Sequence, residues 1–324
     1  MDFYGTIGPA CADADTLRAL LRAGMTGIRL NLSHGGLAAH PDWLQAIRQA
    51  GIPQLLIDLQ GPELRIGSLP APVTLTPDSA VLLGAGGLPC PAALLAALRP
   101  GQELLLDDGK LSLRVTDCRP DSALCRVERG GVLASRKSIA APGLAVDSPT
   151  LTEADLENLA AAPACGVTAV MLPFVRGRRD IDNLRNALAR RGGAHIAIFA
   201  KIENRQGVTA LPEFVDCVDH VVIARGDLGN AMPLWELPGC QKRLAALCRR
   251  AGTPFMVVTQ MLDSMTHRAV PTRAEVCDIY NAVLDGAASV MLTGETAAGD
   301  YPVQAMDYLV RTVGCALADL AAGQ

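Results

Sequence analysis

Apolar residues in this chain come in short continuous runs: FYGTI (3–7), GIRLNL (27–32), QLLIDL (54–59), AVMLPF (169–174), HIAIFAKI (195–202), HVVIAR (220–225), PFMVVT (254–259) and SVMLT (289–293). Between them, apolar positions recur at helical spacing over 14–23, 40–50, 152–162, 180–190, 238–251, 272–285 and 302–318. Continuous apolar strands separated by amphipathic helices predict a parallel sheet covered on its faces. Eight such units predict a (β/α)₈ TIM barrel, α/β in class. An open doubly wound sheet is the alternative, but no Gly-rich phosphate loop follows the first strand.

The alternation breaks between about 66 and 142. That stretch is rich in Pro and Gly and carries short β-like pieces: APVTL, QELLLDD, KLSLRVTD, ALCRVERGG and VLASRKSI. DDG at 107–109 and RGG at 129–131 are turn signals between alternating segments. The expected organisation is a catalytic barrel from 1–65 and 143–324, with a small β lid domain at 66–142 inserted after the third strand.

Composition adds exclusions. The net charge is −4 and no basic run occurs, so nucleic acid is not an expected partner. No window of about 18 residues is uniformly apolar, which argues against a membrane span. The N-terminus MDFYGTIGPA lacks the basic start and long apolar core of a signal peptide. The ten cysteines show no CxxC spacing and read as reduced thiols, so a cytoplasmic protein is expected.

In a barrel the strand C-termini build the active site. Read in order, those ends carry Arg29, Asn31 and Ser33, then Asp58, then Phe174 and Arg176, then Lys201 and Glu203, Asp227, Thr259 and Glu295. KIENRQG (201–207) and ARGDLG (224–229) each follow an apolar strand, placing one lysine and two carboxylates at neighbouring strand ends. Two acids and an ammonium suit a divalent-metal site with a positive charge beside it, as phosphoryl and enolate chemistry requires. A single polar strand end is more often a surface charge or a barrel salt bridge. Seven of eight ends showing the pattern weakens that reading for the set.

Longer motifs go further. TIGPAC (6–11), GIRLNLSHG (27–35), LLIDLQGPELRIG (55–67), LLLDDGKLSL (104–113), SRKSIAAPG (135–143), AKIENRQG (200–207), ARGDLG (224–229), TQMLDSM (259–265), PTRAEVCD (271–278) and MLTGETAAGDYP (291–302) resemble, in order, the motifs of the pyruvate kinase family. The resemblance implies a (β/α)₈ barrel with an inserted β lid. It also implies phosphoryl transfer from phosphoenolpyruvate to a nucleoside diphosphate, ADP first, with pyruvate released through a metal-stabilised enolate. Glu203 and Asp227 would ligate Mg²⁺ or Mn²⁺. Lys201 would neutralise charge on the phosphoryl and enolate oxygens, and Arg29 would contact the phosphate. Asn31, Ser33, Asp58 and the Leu59 carbonyl match the family's K⁺ site, and Glu63 is the residue type that accompanies K⁺ dependence. Thr259 would flank the enolate carbon, with Thr293 and Glu295 as relay members. The backbone of Ala224, Arg225 and Gly226, with Phe174, would form the carboxylate and methyl pocket. His34, Arg65, Asp107 and Lys137 would meet the nucleotide.

The pattern departs from the family mainly on the acceptor side. Leu59 and Gln60 replace a threonine and a lysine, and Ala39 stands for an aromatic residue. Ser138 and Ala140 replace a glycine and an asparagine, and Ala297-Ala298-Gly299 loses a lysine. Pro173 replaces a serine, and Asn230-Ala231 replaces an apolar–acidic pair. Family members continue into a further α/β domain with a sugar-phosphate effector site and part of the subunit interface. A chain ending at Gln324 is therefore expected to be a short form without that allostery, and a homo-oligomer as simple as a dimer. Three readings stay open at this point: the kinase, with ADP or another phosphoryl acceptor; a pyruvate- or oxaloacetate-type lyase; and a non-catalytic paralogue that binds phosphoenolpyruvate or pyruvate.

Overall fold

The computed structural model describes residues 1–107, 109–144, 146 and 148–323; Asp108, in the middle of the DDG turn, lies outside the described residues. The chain begins with β1 (Asp2–Thr6), α1 (Ala14–Arg22), β2 (Gly27–Asn31), α2 (Pro41–Ala50) and β3 (Leu55–Asp58). There follow β4 (Val73–Leu75), β5 (Ala80–Gly84), α3 (Ala92–Ala97), β6 (Glu103–Leu106), β7 (Leu111–Cys118), β8 (Ser122–Arg129), β9 (Gly131–Leu133) and β10 (Ile139–Ala140). Strands and helices then alternate through α4 (Glu153–Cys165), β11 (Ala169–Leu172), α5 (Arg178–Ala189), β12 (Ala197–Ile202), α6 (Arg205–Ala210), β13 (His220–Ala224), α7 (Arg225–Ala231) and α8 (Leu237–Ala251). The chain closes with β14 (Phe255–Val258), α9 (Arg273–Leu284), β15 (Ser289–Met291), α10 (Gly294–Ala297) and α11 (Pro302–Ala321).

Eight parallel strands form a closed barrel in the order β1-β2-β3-β11-β12-β13-β14-β15, with β15 returning to β1. The predicted TIM barrel is therefore the fold. Side chains alternate across each strand, so one set fills the interior: Tyr4, Leu56, Met171, Phe199, Val222 and Met256 pack there as a continuous apolar core. Extending the same alternation upward sets the polar rim. Asp58 follows Leu56 by two residues, and Lys201 and Glu203 follow Phe199 by two and four. Register places Asn31 opposite Asp58 and Arg29 opposite Thr6.

The chain divides into two compact units: Met1–Gly61, Thr150–Arg225 and Pro238–Gln324 form one, and Pro62–Pro149 with Gly226–Leu237 the other. The second unit carries a five-stranded antiparallel sheet, β10-β6-β7-β8-β5, and a two-stranded sheet, β4-β9. Its core comes from inward positions such as Leu83, Leu104, Leu113, Val127 and Leu133.

Barrel helices start where side chains satisfy the first free N–H groups. Asp13 caps α1, and Thr152 with Asp155 and Thr272 with Glu275 form reciprocal capping boxes on α4 and α9. The helical spacing in the sequence covers 152–162, short of Pro163. The helix nevertheless runs to Cys165, where Gly166 at φ 77° closes it. Among the described residues, no helix is long and apolar enough to cross a membrane.

Candidate active site at the strand ends

Four charged side chains, from β2, β3, β12 and the residue directly after β12, meet above the barrel core. Arg29 Nε and Nη2 donate to Asp58 Oδ2 at 2.9 and 2.6 Å, and Arg29 Nη1 donates to Thr6 Oγ1 at 3.3 Å. The ammonium of Lys201 lies 3.2 Å from the same Asp58 oxygen and 2.8 Å from Glu203 Oε1. Glu203 Oε2 accepts from the backbone N–H of Phe174 at 2.9 Å. Asp58 is 2% exposed and Glu203 3%, so these are charge-assisted bonds shielded from water. Burial alone would raise the Asp58 carboxyl, but Lys201 and Arg29 outweigh it and hold it below the usual carboxylate range. Burial likewise opposes the charge on Lys201, yet Asp58 and Glu203 hold its ammonium above the usual lysine range.

The remaining barrel candidates lie at the strand ends. Asn31 accepts from the Ser33 N–H at 3.2 Å, opening the turn that ends at the exposed His34. Leu59 is buried directly after Asp58. Phe174 and Thr259 follow β11 and β14 with φ of 53° and 81°, and Gln260 continues at 55°. Non-glycine residues in this region cost energy and are held by their surroundings, often at functional sites. Glu295 is 1% exposed; its Oε1 accepts from Leu262 N at 3.0 Å and its Oε2 from Thr293 N and Oγ1 at 2.7 and 3.2 Å. Ala224 is buried at the end of β13, and Arg225 bonds the Thr259 carbonyl and Asp278.

Gly226 and Asp227 belong to the second unit, as do Arg65, Asp107 and Lys137. Within that unit, Lys137 Nζ lies 2.7 Å from Asp107 Oδ1 and Lys110 Nζ 3.3 Å from Oδ2. Asp107 sits at φ 49°, and hydrogen bonds from both lysines outweigh desolvation to hold its carboxyl below the usual range. Arg65 pairs with Glu63 Oε2 at 2.8 Å and donates to the Arg136 carbonyl at 2.7 Å.

Strand-end reading passed over three residues. Thr6 Oγ1 donates to the Leu292 carbonyl at 2.9 Å while accepting from Arg29, and it ends β1 inside the TIGPAC motif. Asp155, 1% exposed, accepts from Thr152 and also from Gln60 N and Gly61 N at 3.1 and 3.3 Å. The T-x-x-D spacing was a legible cap signal; its second grip on the loop after β3 was not. Asp278, within PTRAEVCD, is the third.

The model of the pyruvate kinase barrel domain matches residues 2–82 and 91–306. This chain belongs to that family. A pyruvate kinase from Methylorubrum extorquens is 39% identical over 94% of this chain and 66% of that protein. One from Agrobacterium vitis is 39% identical over 95% of this chain and 66% of the relative. One from Mycobacterium intracellulare is 38% identical over 97% and 69%. The chain thus spans about two thirds of the length of the curated relatives it matches.

Asp58 Oδ1 is buried with no hydrogen-bond partner among the described residues, although Oδ2 is shared by two cations. A buried orphan acceptor of this kind calls for a partner, and with Asn31 paired to Asp58 across the strands its oxygen chemistry suits a monovalent ion. Among the described residues no group of three or more His, Cys, Asp or Glu side chains could hold a metal. Magnesium needs only one or two carboxylates beside substrate oxygens, and the barrel unit offers the buried Glu203 as one.

Proposed function

We propose that this chain transfers the phosphoryl group of phosphoenolpyruvate to a nucleoside diphosphate, ADP first, and releases pyruvate in the cytoplasm as a homo-oligomer. The buried Arg29–Asp58–Lys201–Glu203 array carries the reading, because it presents two cations ion-paired to carboxylates at the strand ends of a pyruvate kinase barrel. Arg29 binds the phosphate. Lys201 meets the oxygen that becomes an enolate, and its ammonium neutralises that charge as the phosphorus–oxygen bond breaks. Thr259 flanks the methylene carbon where the proton is added. Phe174 and the backbone of Ala224, Arg225 and Gly226 hold the carboxylate and the methyl end. His34, Arg65, Asp107 and Lys137 are assigned to the nucleotide.

Magnesium or manganese on Glu203 and Asp227, when bound, supplies charge neutralisation at the phosphoryl oxygens. Potassium on Asn31, Ser33, Asp58 and the Leu59 carbonyl adds a positive charge that Glu63, being an acid, does not provide. A second reading keeps the donor and changes the acceptor. It is favoured by Gln60, Ala39, Ala140 and Ala297-Ala298, which remove charge and an aromatic from the nucleotide side.

A pyruvate-release assay with phosphoenolpyruvate, Mg²⁺, K⁺ and a panel of nucleoside diphosphates tests the proposal. Turnover with ADP or another diphosphate supports it, and silence with every nucleotide overturns it. Pyruvate formation from oxaloacetate without nucleotide would instead favour the lyase.

A further inference from the structure

The turn after β14 contains two successive non-glycine residues in the left-handed region, Thr259 and Gln260. For a β-branched threonine that conformation is an outlier, and it persists only where neighbours over-determine it. One neighbour is directed at it. Arg225, the residue following β13, donates from Nε and Nη2 to the carbonyl oxygen of Thr259 at 3.2 and 2.7 Å. Its remaining terminal nitrogen, Nη1, donates to Asp278 Oδ2 on α9 at 2.6 Å. The guanidinium also lies 3.1 Å from Met261 Sδ, and the side chain is only 12% exposed. On the other side of the turn, Glu295 accepts from Leu262 N.

We infer that Arg225, braced by Asp278, is a positioning residue that locks the Thr259 backbone and so fixes the orientation of its hydroxyl. The inference rests on the reading that Thr259 serves the enolate carbon. An ordinary barrel salt bridge would need only the Arg225–Asp278 pair. Here the guanidinium spends two of its donors on the carbonyl of the one strained threonine in the turn. A planar fork can grip one carbonyl while holding a carboxylate; an ammonium keeps the charge but loses that geometry.

The first test is the structure of Arg225→Lys. Thr259 is expected to leave the left-handed region, and retention of φ near 81° would overturn the clamp. This readout does not depend on activity, so it decides the clamp even if the proposed reaction fails. The second test is kinetic and uses the whole chain. Arg225→Lys should lower kcat, and the exchange of pyruvate methyl protons with deuterated water, by about 10- to 100-fold, as small misplacements at a reacting centre do. The KM for phosphoenolpyruvate should stay within about twofold, because only an interaction realised in the transition state is lost. The double variant Arg225→Lys/Thr259→Val should be no slower than Thr259→Val alone, and additive losses would overturn the inference. Should Arg225→Lys not fold, Asp278→Asn removes the brace and is read by the same measurements, with a smaller loss in the same direction expected.

Discussion

Replacing Lys201 by methionine keeps the length of the side chain and deletes its charge. The ammonium lies 2.8 Å from Glu203 and 3.2 Å from Asp58, in a side chain 14% exposed. At an effective dielectric of about 20, each pair is worth roughly 5 kcal/mol before opposing terms. Desolvation and the nearby Arg29 offset much of that. Arg29 still satisfies Asp58 in the variant, but among the described residues Glu203 keeps only the Phe174 N–H. Breaking a buried pair from one side costs about 3–5 kcal/mol, and we expect the low end, near 3 kcal/mol, because Asp58 retains a partner. Thermal unfolding should register it as a fall in Tm of about 4–6 °C. The difference should depend on pH in a defined way. The folded-state value of Lys201 is raised, so its contribution is complete below the unfolded lysine value of about 10 and is lost as pH rises through the folded value. Asp58 is depressed, so its share is present above the unfolded value of about 4 and is lost as pH falls through the folded one. A destabilisation below 1 kcal/mol at neutral pH, or one independent of pH at both extremes, would refute the electrostatic account of the array. Turnover should fall by at least about 100-fold in the same variant, since preorganised charge at an oxyanion is lost.

Glu295→Gln places an amide donor against backbone N–H groups and should cost about 1–3 kcal/mol, with hydrogen exchange accelerated at Leu262 and Thr293; unchanged protection at both would count against Glu295 as the anchor of that turn. Asp155→Ala removes the α4 capping box and the carboxylate that accepts from two loop N–H groups, for about 1–2 kcal/mol. It should raise the K⁺ concentration for half-maximal activity several-fold, and an unaltered K⁺ response would separate the loop from the cation site. His220 stacks on Phe199 and bonds Ser289 at 2.8 Å, and burial pushes its imidazole down to about 4. The unfolded chain takes up the proton near 6.5, so stability should fall as pH drops from 6.5 toward 4, by up to about 3 kcal/mol. In His220→Gln that slope should disappear, and a slope of equal size would refute the assignment.

The strand pattern was legible because a barrel strand is buried on both faces and reads as an unbroken apolar run. Its C-terminal limits were less so. The run at 169–174 stops as a strand at Leu172, and the run at 254–259 stops at Val258. In both cases an apolar or β-branched residue continues the pattern while the backbone turns into the left-handed region at Phe174 or Thr259. Composition carries no trace of a turn held by Glu203, Glu295 and Arg225 from elsewhere in the chain. In the second unit, β5 at Ala80–Gly84 and the short α3 at Ala92–Ala97 escaped the pattern for the opposite reason. Surrounding Pro, Gly and Ala dilute any period in segments of five and six residues.

The sequence by itself determined the fold class, the family and the residue types at each strand end, because periodicity and local motifs are properties of neighbours along the chain. Tertiary structure alone decided which of those residues pair. Asp58 and Lys201 are 143 positions apart, and only barrel closure and register bring a carboxylate, an ammonium and a guanidinium within hydrogen-bond distance. Burial there, where water cannot screen them, is what turns four common side chains into a site with fixed charges.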